Sequence, residues 1–210
     1  MHRTSLIGTA VSLSLILLGA VTVAYAADVN GCTTINEPGL HVLVRTFTAA
    51  PQNFSPAVEN QVGCIVIAAD FVTLDMAGNT IIGPGTCSNC VGIATDRDRR
   101  GATVRDGTVT GFKNGVQLIG SGPTIEHVRA IANSGIGIIV GSNIFATASS
   151  IGGRVVGNSA VNNLFGGILV QCPAVVLENI AVSSGGFSHI EAPPGPGPAP
   201  CTLLQNSPAP

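Results

Sequence analysis

The sequence predicts an all-β chain wound as a parallel β-helix of about six short coils. Three observations lead there. Short apolar strands recur as Cys64-Ile-Val-Ile, Cys90-Val-Gly-Ile, Gly115-Val-Gln-Leu, Gly135-Ile-Gly-Ile and Gly167-Ile-Leu-Val. A second set aligns on Met76, Val104, Ile125, Val156 and Leu177, spaced 28, 21, 31 and 21 residues apart. A recurrence of this length marks a solenoid or a similar array. Within each segment the apolar residues alternate with period two, and Gly and Asn punctuate every few residues. That is strand chemistry, and no stretch offers an apolar helical stripe with a cap at each end.

The elements follow in chain order. Arg3 precedes an uncharged apolar run from Leu6 to Val23, and Ala24-Tyr25-Ala26 closes it with small residues at two spaced positions. Residues 1–26 therefore read as a secretory signal peptide, with export to the periplasm, the cell surface or the medium expected. The rival reading is an uncleaved anchor, because the run approaches the roughly 20 residues that span a bilayer. No later segment is long and apolar enough to span. Residues 27–63 read as an N-terminal cap segment, 64–190 as the repeats, and 191–210 as a Pro-rich tail.

Six cysteines in an exported chain read as disulfides. The expected pairs are Cys32–Cys64, Cys87–Cys90 and Cys172–Cys201, out of fifteen possible pairings. Metal binding at Cys87-x-x-Cys90 needs a second ligand pair, and none is visible, so no metal site is expected. A thioredoxin-like role needs a βαβ context that the sequence lacks. Pro-Pro-Gly-Pro-Gly-Pro between Cys172 and Cys201 has few backbone donors, so an extended connector tied down by Cys201 is expected.

Composition excludes several functions. Charged residues are 10% of the 210, far below the usual quarter or so. With 45% hydrophobic residues the chain is not disordered. A net charge of -2 with a single lysine, Lys113, argues against nucleic acid or an anionic membrane as partner. There is no Trp, and the one Tyr lies in the signal segment, so the aromatic platforms that commonly hold sugars are missing.

Several segments give a resemblance to a known group. They are Ile35-Asn-Glu-Pro-Gly-Leu-His-Val-Leu43, the stretch Cys64-Ile-Val-Ile-Ala-Ala-Asp-Phe-Val-Thr-Leu-Asp-Met-Ala-Gly-Asn-Thr-Ile, and Arg100-Gly-Ala-Thr-Val-Arg-Asp-Gly-Thr-Val-Thr-Gly-Phe. Over roughly residues 32 to 190 the chain resembles secreted bacterial proteins with right-handed parallel β-helix repeats, of the pectin-lyase-like superfamily. The resemblance implies that winding. It also implies an enzyme hypothesis, a polysaccharide lyase or glycoside hydrolase working on the outside of one sheet with clustered carboxylates, for Ca²⁺ or as acid and base. Ca²⁺ enters only with that hypothesis, and no other cofactor is expected.

The columns test the enzyme hypothesis. With Ile65, Val91, Val116, Ile136 and Ile168 inward, the outward neighbours are Val66, Gly92, Gln117, Gly137 and Leu169, none of them charged. The second sheet's outward column reads Ala77, Arg105, Glu126, Gly157 and Glu178, where Arg105 and Glu126 form an exposed ion pair at most. Asp75 has no visible partner and is taken as structural. The next column holds Asp106, His127, Asn158 and Asn179 at a turn. A row of polar ligands is one reading. A hydrogen-bonding ladder that satisfies turn backbone groups is preferred.

Asp96-Arg97-Asp98-Arg99-Arg100 is the one dense charge cluster. Arg97, Arg99 and Arg100 could fork onto the carboxylates or sulfates of an acidic polysaccharide. The plainer reading is a solvated loop whose charges neutralise one another, with Asp96 and Asp98 on the guanidinium groups. Two functions remain: a non-catalytic exported β-helix, serving as a surface or envelope scaffold or a weak glycan-binding module, and a small carbohydrate-active enzyme. The uncharged columns and the missing Trp and Tyr favour the first.

Overall fold

The computed structural model describes residues 26–141, 152–183, 190–191 and 201–208. The expected signal segment up to Tyr25 and the expected connector at 192–200 lie outside the described residues. Among the described residues no helix is long and apolar enough to cross a membrane. Among the described residues the regular structure is nearly all strand, with two short 3₁₀ segments at Pro51–Asn53 and Val58–Asn60.

Among the described residues twenty-one strands form two sheets, of 13 and 8 strands. The chain alternates between them. Cys90–Thr95 lies in the smaller sheet, Thr103–Thr110 in the larger, Asn114–Leu118 in the smaller, Thr124–Ile131 in the larger, and Ile136–Val140 in the smaller. Nearly every pair of neighbours is parallel; Ser55–Pro56 with Val62–Gly63 is the antiparallel exception. A parallel neighbour cannot be reached by a tight hairpin. Here the excursion through the other sheet supplies the crossover, so each strand hydrogen-bonds to the strand laid down one full pass earlier. Pairing begins at Ala27 and reaches Pro208, beyond residues 64–190 on both sides.

The apolar core lies between the sheets. One file runs Leu74, Val104, Ile125, Val155 and Val176, all fully buried. This corrects the expected column of Met76, Val104, Ile125, Val156 and Leu177. Val104 pairs with Leu74, two residues before Met76, and Ile125 pairs with Val155. Alternation fixes which face a residue takes but not a shift of two, so Leu74 and Met76 looked equivalent. Val155-Val156 and Val176-Leu177 are apolar doublets, where even the face is ambiguous. In the smaller sheet the file is Ile65, Ile93, Val116, Ile138 and Ile168, again two residues later than expected at Val91 and Ile136.

The neighbouring column of that sheet is Val66, Ala94, Gln117, Ile139 and Leu169, replacing the expected Gly92 and Gly137. Its members are not solvent-facing: all are buried. On the N-terminal side the segment before Val62 covers them. The Gln117 Nε2 donates to Glu59 Oε2 at 2.9 Å, and a methyl placed on Gly63 would stand 3.6 Å from the Ala57 Cβ.

Bends along the larger sheet, inside or between its strands, carry residues in the left-handed region: Asp106, His127, Gly157, Glu178 and Gln205 have φ of 57°, 53°, 64°, 55° and 53°. A corner breaks the strand pairing, so its buried backbone groups need other partners. Asparagines provide them. The Asn158 Oδ1 accepts from Val128 N at 2.8 Å, and its Nδ2 donates to Ile125 O at 2.9 Å. Asn179 repeats this on Asn158 N and Val155 O, and Asn206 repeats it on Asn179 N and Val176 O. A second series at the other corner joins Asn133 to Asn163, whose Oδ1 accepts from Asn133 N and Nδ2.

Three disulfides close the expected pairs, Cys32–Cys64, Cys87–Cys90 and Cys172–Cys201, with sequence separations of 32, 3 and 29. Among the described residues no cysteine is free.

Asn179→Ala orphans the Asn158 amide and the Val155 carbonyl, both buried, and lowers unfolding stability by about 3 kcal/mol, since each buried unsatisfied group costs about 1–3 kcal/mol. Urea unfolding measures it, and a loss under about 0.5 kcal/mol would contradict the assignment. Replacing both Cys32 and Cys64 by Ala costs about 3–4 kcal/mol, and the same change at Cys87 and Cys90 about 2 kcal/mol, because a shorter ring restrains the unfolded chain less. Equal losses in the two double variants would contradict that ranking.

Candidate functional site

The charged loop joins Cys90–Thr95 to Thr103–Thr110. The Arg99 Nε and Nη2 donate to both oxygens of Asp96, each at 2.7 Å, and the Arg99 side chain is only 11% exposed. Its amide donates to Ile119 O at 2.9 Å. Gly120, at φ 134°, leaves room for this approach, since a Cβ there would run into the Arg99 backbone. Arg100 turns the other way. Its amide and Nε donate to Asp70 at 3.0 and 2.9 Å, and its guanidinium stands 5.6 Å from the Phe71 ring centroid. Arg97 is 73% exposed, with its Nε 3.7 Å from Asp96.

The three arginines therefore share one loop but not one role. Two hold the loop to its neighbours, Arg99 mostly buried and Arg100 with its side chain still 69% exposed, and Arg97 extends into solvent with a loose partner. Asp96 does take a guanidinium, as expected. The second carboxylate on an arginine is Asp70, 30 residues earlier, rather than Asp98. Two hydrogen bonds from Arg100, backbone first and then side chain, hold the Asp70 carboxyl below its ordinary value. Burial pushes the Asp96 carboxyl up, but the hydrogen bonds and charge of Arg99 outweigh it and leave the group lowered. The same contact raises Arg99.

A second polar group lies on the outside of the larger sheet. Arg105 stands beside both Asp75 and Glu126 in register, and it donates to Asp75 Oδ2 at 3.1 and 2.8 Å. The expected pair with Glu126 is replaced by this one, so Asp75 does have a partner. Asp106 and His127 sit side by side at the bend, with Nδ1 3.3 Å from Oδ1, His127 exposed and Asp106 half-buried. They do not belong to the hydrogen-bonding ladder. Of the four residues expected there, Asn158 and Asn179 form it. Asp106 and His127 lie one residue earlier, in the left-handed column with Gly157 and Glu178. The apolar doublet at Val155-Val156 displaced the alignment by that one residue.

Asn133, Asn163 and Asn206 were missed as ladder members. A signal existed: Asn133 and Asn163 each stand shortly before a Gly-Ile strand start, and Asn206 follows Asn179 as the chain leaves Thr202–Leu204.

A cleft of about 280 Å³ opens at the N-terminal end, lined by Asp28, Thr33, Thr34, Asn36, Glu37 and His41 with Val29 and Ile35 at its base. Part of its polar lining is already engaged. The His41 Nε2 lies 3.0 Å from Glu37 O, and Thr34 Oγ1 donates to Ser55 Oγ at 3.0 Å. Among the described residues no three His, Cys, Asp or Glu side chains converge to hold a metal ion. No protein family, curated protein or solved structure matches this chain.

Asp70 and Asp96 bind their protons less readily in the folded chain than at the ordinary value of 3.8. The stability they contribute is fully present above that value and is lost as pH falls below it. The Asp70→Asn, Asp96→Asn double variant therefore loses less stability than the wild type between about pH 5 and about pH 2. Urea midpoints across that range measure the difference, and parallel curves would contradict it.

Proposed function

We propose that this is an exported, non-catalytic right-handed parallel β-helix, serving as a surface or envelope scaffold or as a weak glycan-binding module. The observation that carries the proposal is the use made of the charges. Asp75–Arg105 and Asp70–Arg100 each join residues 30 apart, and so tie one pass of the chain to the next. Asp96–Arg99 locks the intervening loop. The outer polar groups are arranged to hold the fold in register. The alternation between two parallel sheets and the asparagine series support the β-helix winding, as does the resemblance to pectin-lyase-like repeats. Three disulfides support an oxidising destination.

If an acidic polysaccharide binds, Arg97, exposed and loosely partnered, meets it first with the exposed Arg100 beside it on the loop, and contact is weak and salt-sensitive because an exposed charge is screened beyond about 8 Å at physiological ionic strength. A second reading, a polysaccharide lyase or glycoside hydrolase, draws on one observation: Asp75, Arg105, Glu126, Asp106 and His127 together on the outside of a parallel sheet. In that reading Ca²⁺ would join the carboxylates.

The test incubates the pure protein with acidic and neutral polysaccharides, with and without Ca²⁺. No unsaturated uronate absorbance and no new reducing ends are expected. Turnover that Arg105→Ala abolishes would replace the scaffold reading with the enzymatic one.

A further inference from the structure

We propose that Cys87–Cys90 is a thiol–disulfide exchange site, opened by an external dithiol while the protein stays folded and the other two disulfides stay closed. This goes beyond the scaffold reading and does not depend on it. The three bonds differ in what they join. Cys32–Cys64 and Cys172–Cys201 span separations of 32 and 29 and link one pass of the chain to the next. Cys87–Cys90 spans a separation of 3 within one connection. Its opening releases little restraint on the chain, so it is not coupled to unfolding as the long rings are.

Burial differs between the two cysteines as well. Cys87 is half-buried, between exposed Thr86 and Ser88, while Cys90 is fully buried at the start of its strand. The connection is also held without the bond. Gly83 N donates to Thr110 O, Gly85 N to Gly111 O, Val62 N to Asn89 O and Lys113 N to Cys90 O, at 2.7 to 3.2 Å. The backbone on both sides of the ring is therefore pinned to neighbouring strands. When the bond opens, the two thiols remain close and can close again.

The chemistry is ordinary exchange. A thiolate of the dithiol attacks Sγ of Cys87, the less buried of the two cysteines. The S–S bond breaks, its electron pair goes to Cys90 Sγ, and that sulfur takes a proton. The second thiolate of the same reductant then attacks the reductant's own sulfur in the mixed disulfide. Cys87 leaves as thiolate and is protonated. In total the protein disulfide gains two electrons and two protons, and the dithiol becomes a disulfide. No thioredoxin-like fold is required, only one accessible sulfur in a locally closed ring.

The experiment exposes the folded, full chain to graded dithiothreitol at neutral pH, quenches with acid, alkylates, and maps the peptides by mass. Cys87 and Cys90 are expected to be alkylated at a dithiothreitol concentration at least about tenfold below that needed for the other four cysteines, with far-UV circular dichroism unchanged. Opening of all three bonds together, opening of Cys87–Cys90 last, or loss of the dichroism signal as it opens would overturn the proposal. In Cys90→Ser, Ellman's reagent should label Cys87 in native buffer and release one thionitrobenzoate per chain. An unreactive Cys87 in that folded variant would overturn it too. The wild-type titration decides the matter by itself if the variant does not fold.

Discussion

A buried asparagine that stands in for a backbone partner at each corner is the interaction on which the rest of this structure depends. Parallel pairing holds the strands, but it is interrupted where the larger sheet bends and where the chain crosses to the smaller one. The turning residues are left-handed, and the amides beside them face inward where water cannot reach. Asn158, Asn179 and Asn206 resolve this with one geometry. The carboxamide oxygen takes an amide of the preceding pass, and the nitrogen gives to a carbonyl of that pass. Each asparagine thus positions the next pass against the last, and Asn133 with Asn163 does the same at the opposite corner. Because an unpaired buried amide is costly, the series also selects register, which apolar packing alone leaves free to slip.

The same constraint explains the outer polar groups. Consecutive passes lie one strand spacing apart, about 4.8 Å, so a carboxylate and a guanidinium on neighbouring passes meet without any special loop. Asp75–Arg105 and Asp70–Arg100 use that proximity. Exposed pairs of this kind contribute little to stability, and their effect is on alignment. A chain with so few charges, and with most of its arginines near the loop engaged in this way, has little left to present to a ligand. That use of the charges is what the proposed scaffold reading draws on.

Much of the architecture was legible in the residues. Period-two alternation, Gly and Asn punctuation, and the recurrence near 21 and 30 residues pointed to stacked parallel strands, and the cysteine positions pointed to the three pairs. Register was less legible. Val91-Gly-Ile93 and Ile136-Gly-Ile138 present the same face at either apolar residue, so a two-residue shift leaves no trace in the pattern. Val155-Val156 and Val176-Leu177 hide even a one-residue shift. That single residue carried Asp106 and His127 into the ladder column on paper and out of it in space. The partner of Arg100 was invisible for a different reason: Asp70 lies a full pass away, and only the stacking brings it near. The cover over Val66 and Gln117 was equally hidden, because it comes from the segment that precedes the repeats.

The most direct test is the pattern of methyl contacts across the core in solution. In a methyl-labelled sample, nuclear Overhauser effects should connect Ile125 to Val104 on one side and to Val155 on the other, and Val155 onward to Val176. Those contacts place the four side chains in one buried file, as the asparagine series requires. Strong effects from Ile125 to Val156 in place of Val155, or none between Ile125 and either valine, would contradict the register and with it the stacking that the whole account rests on.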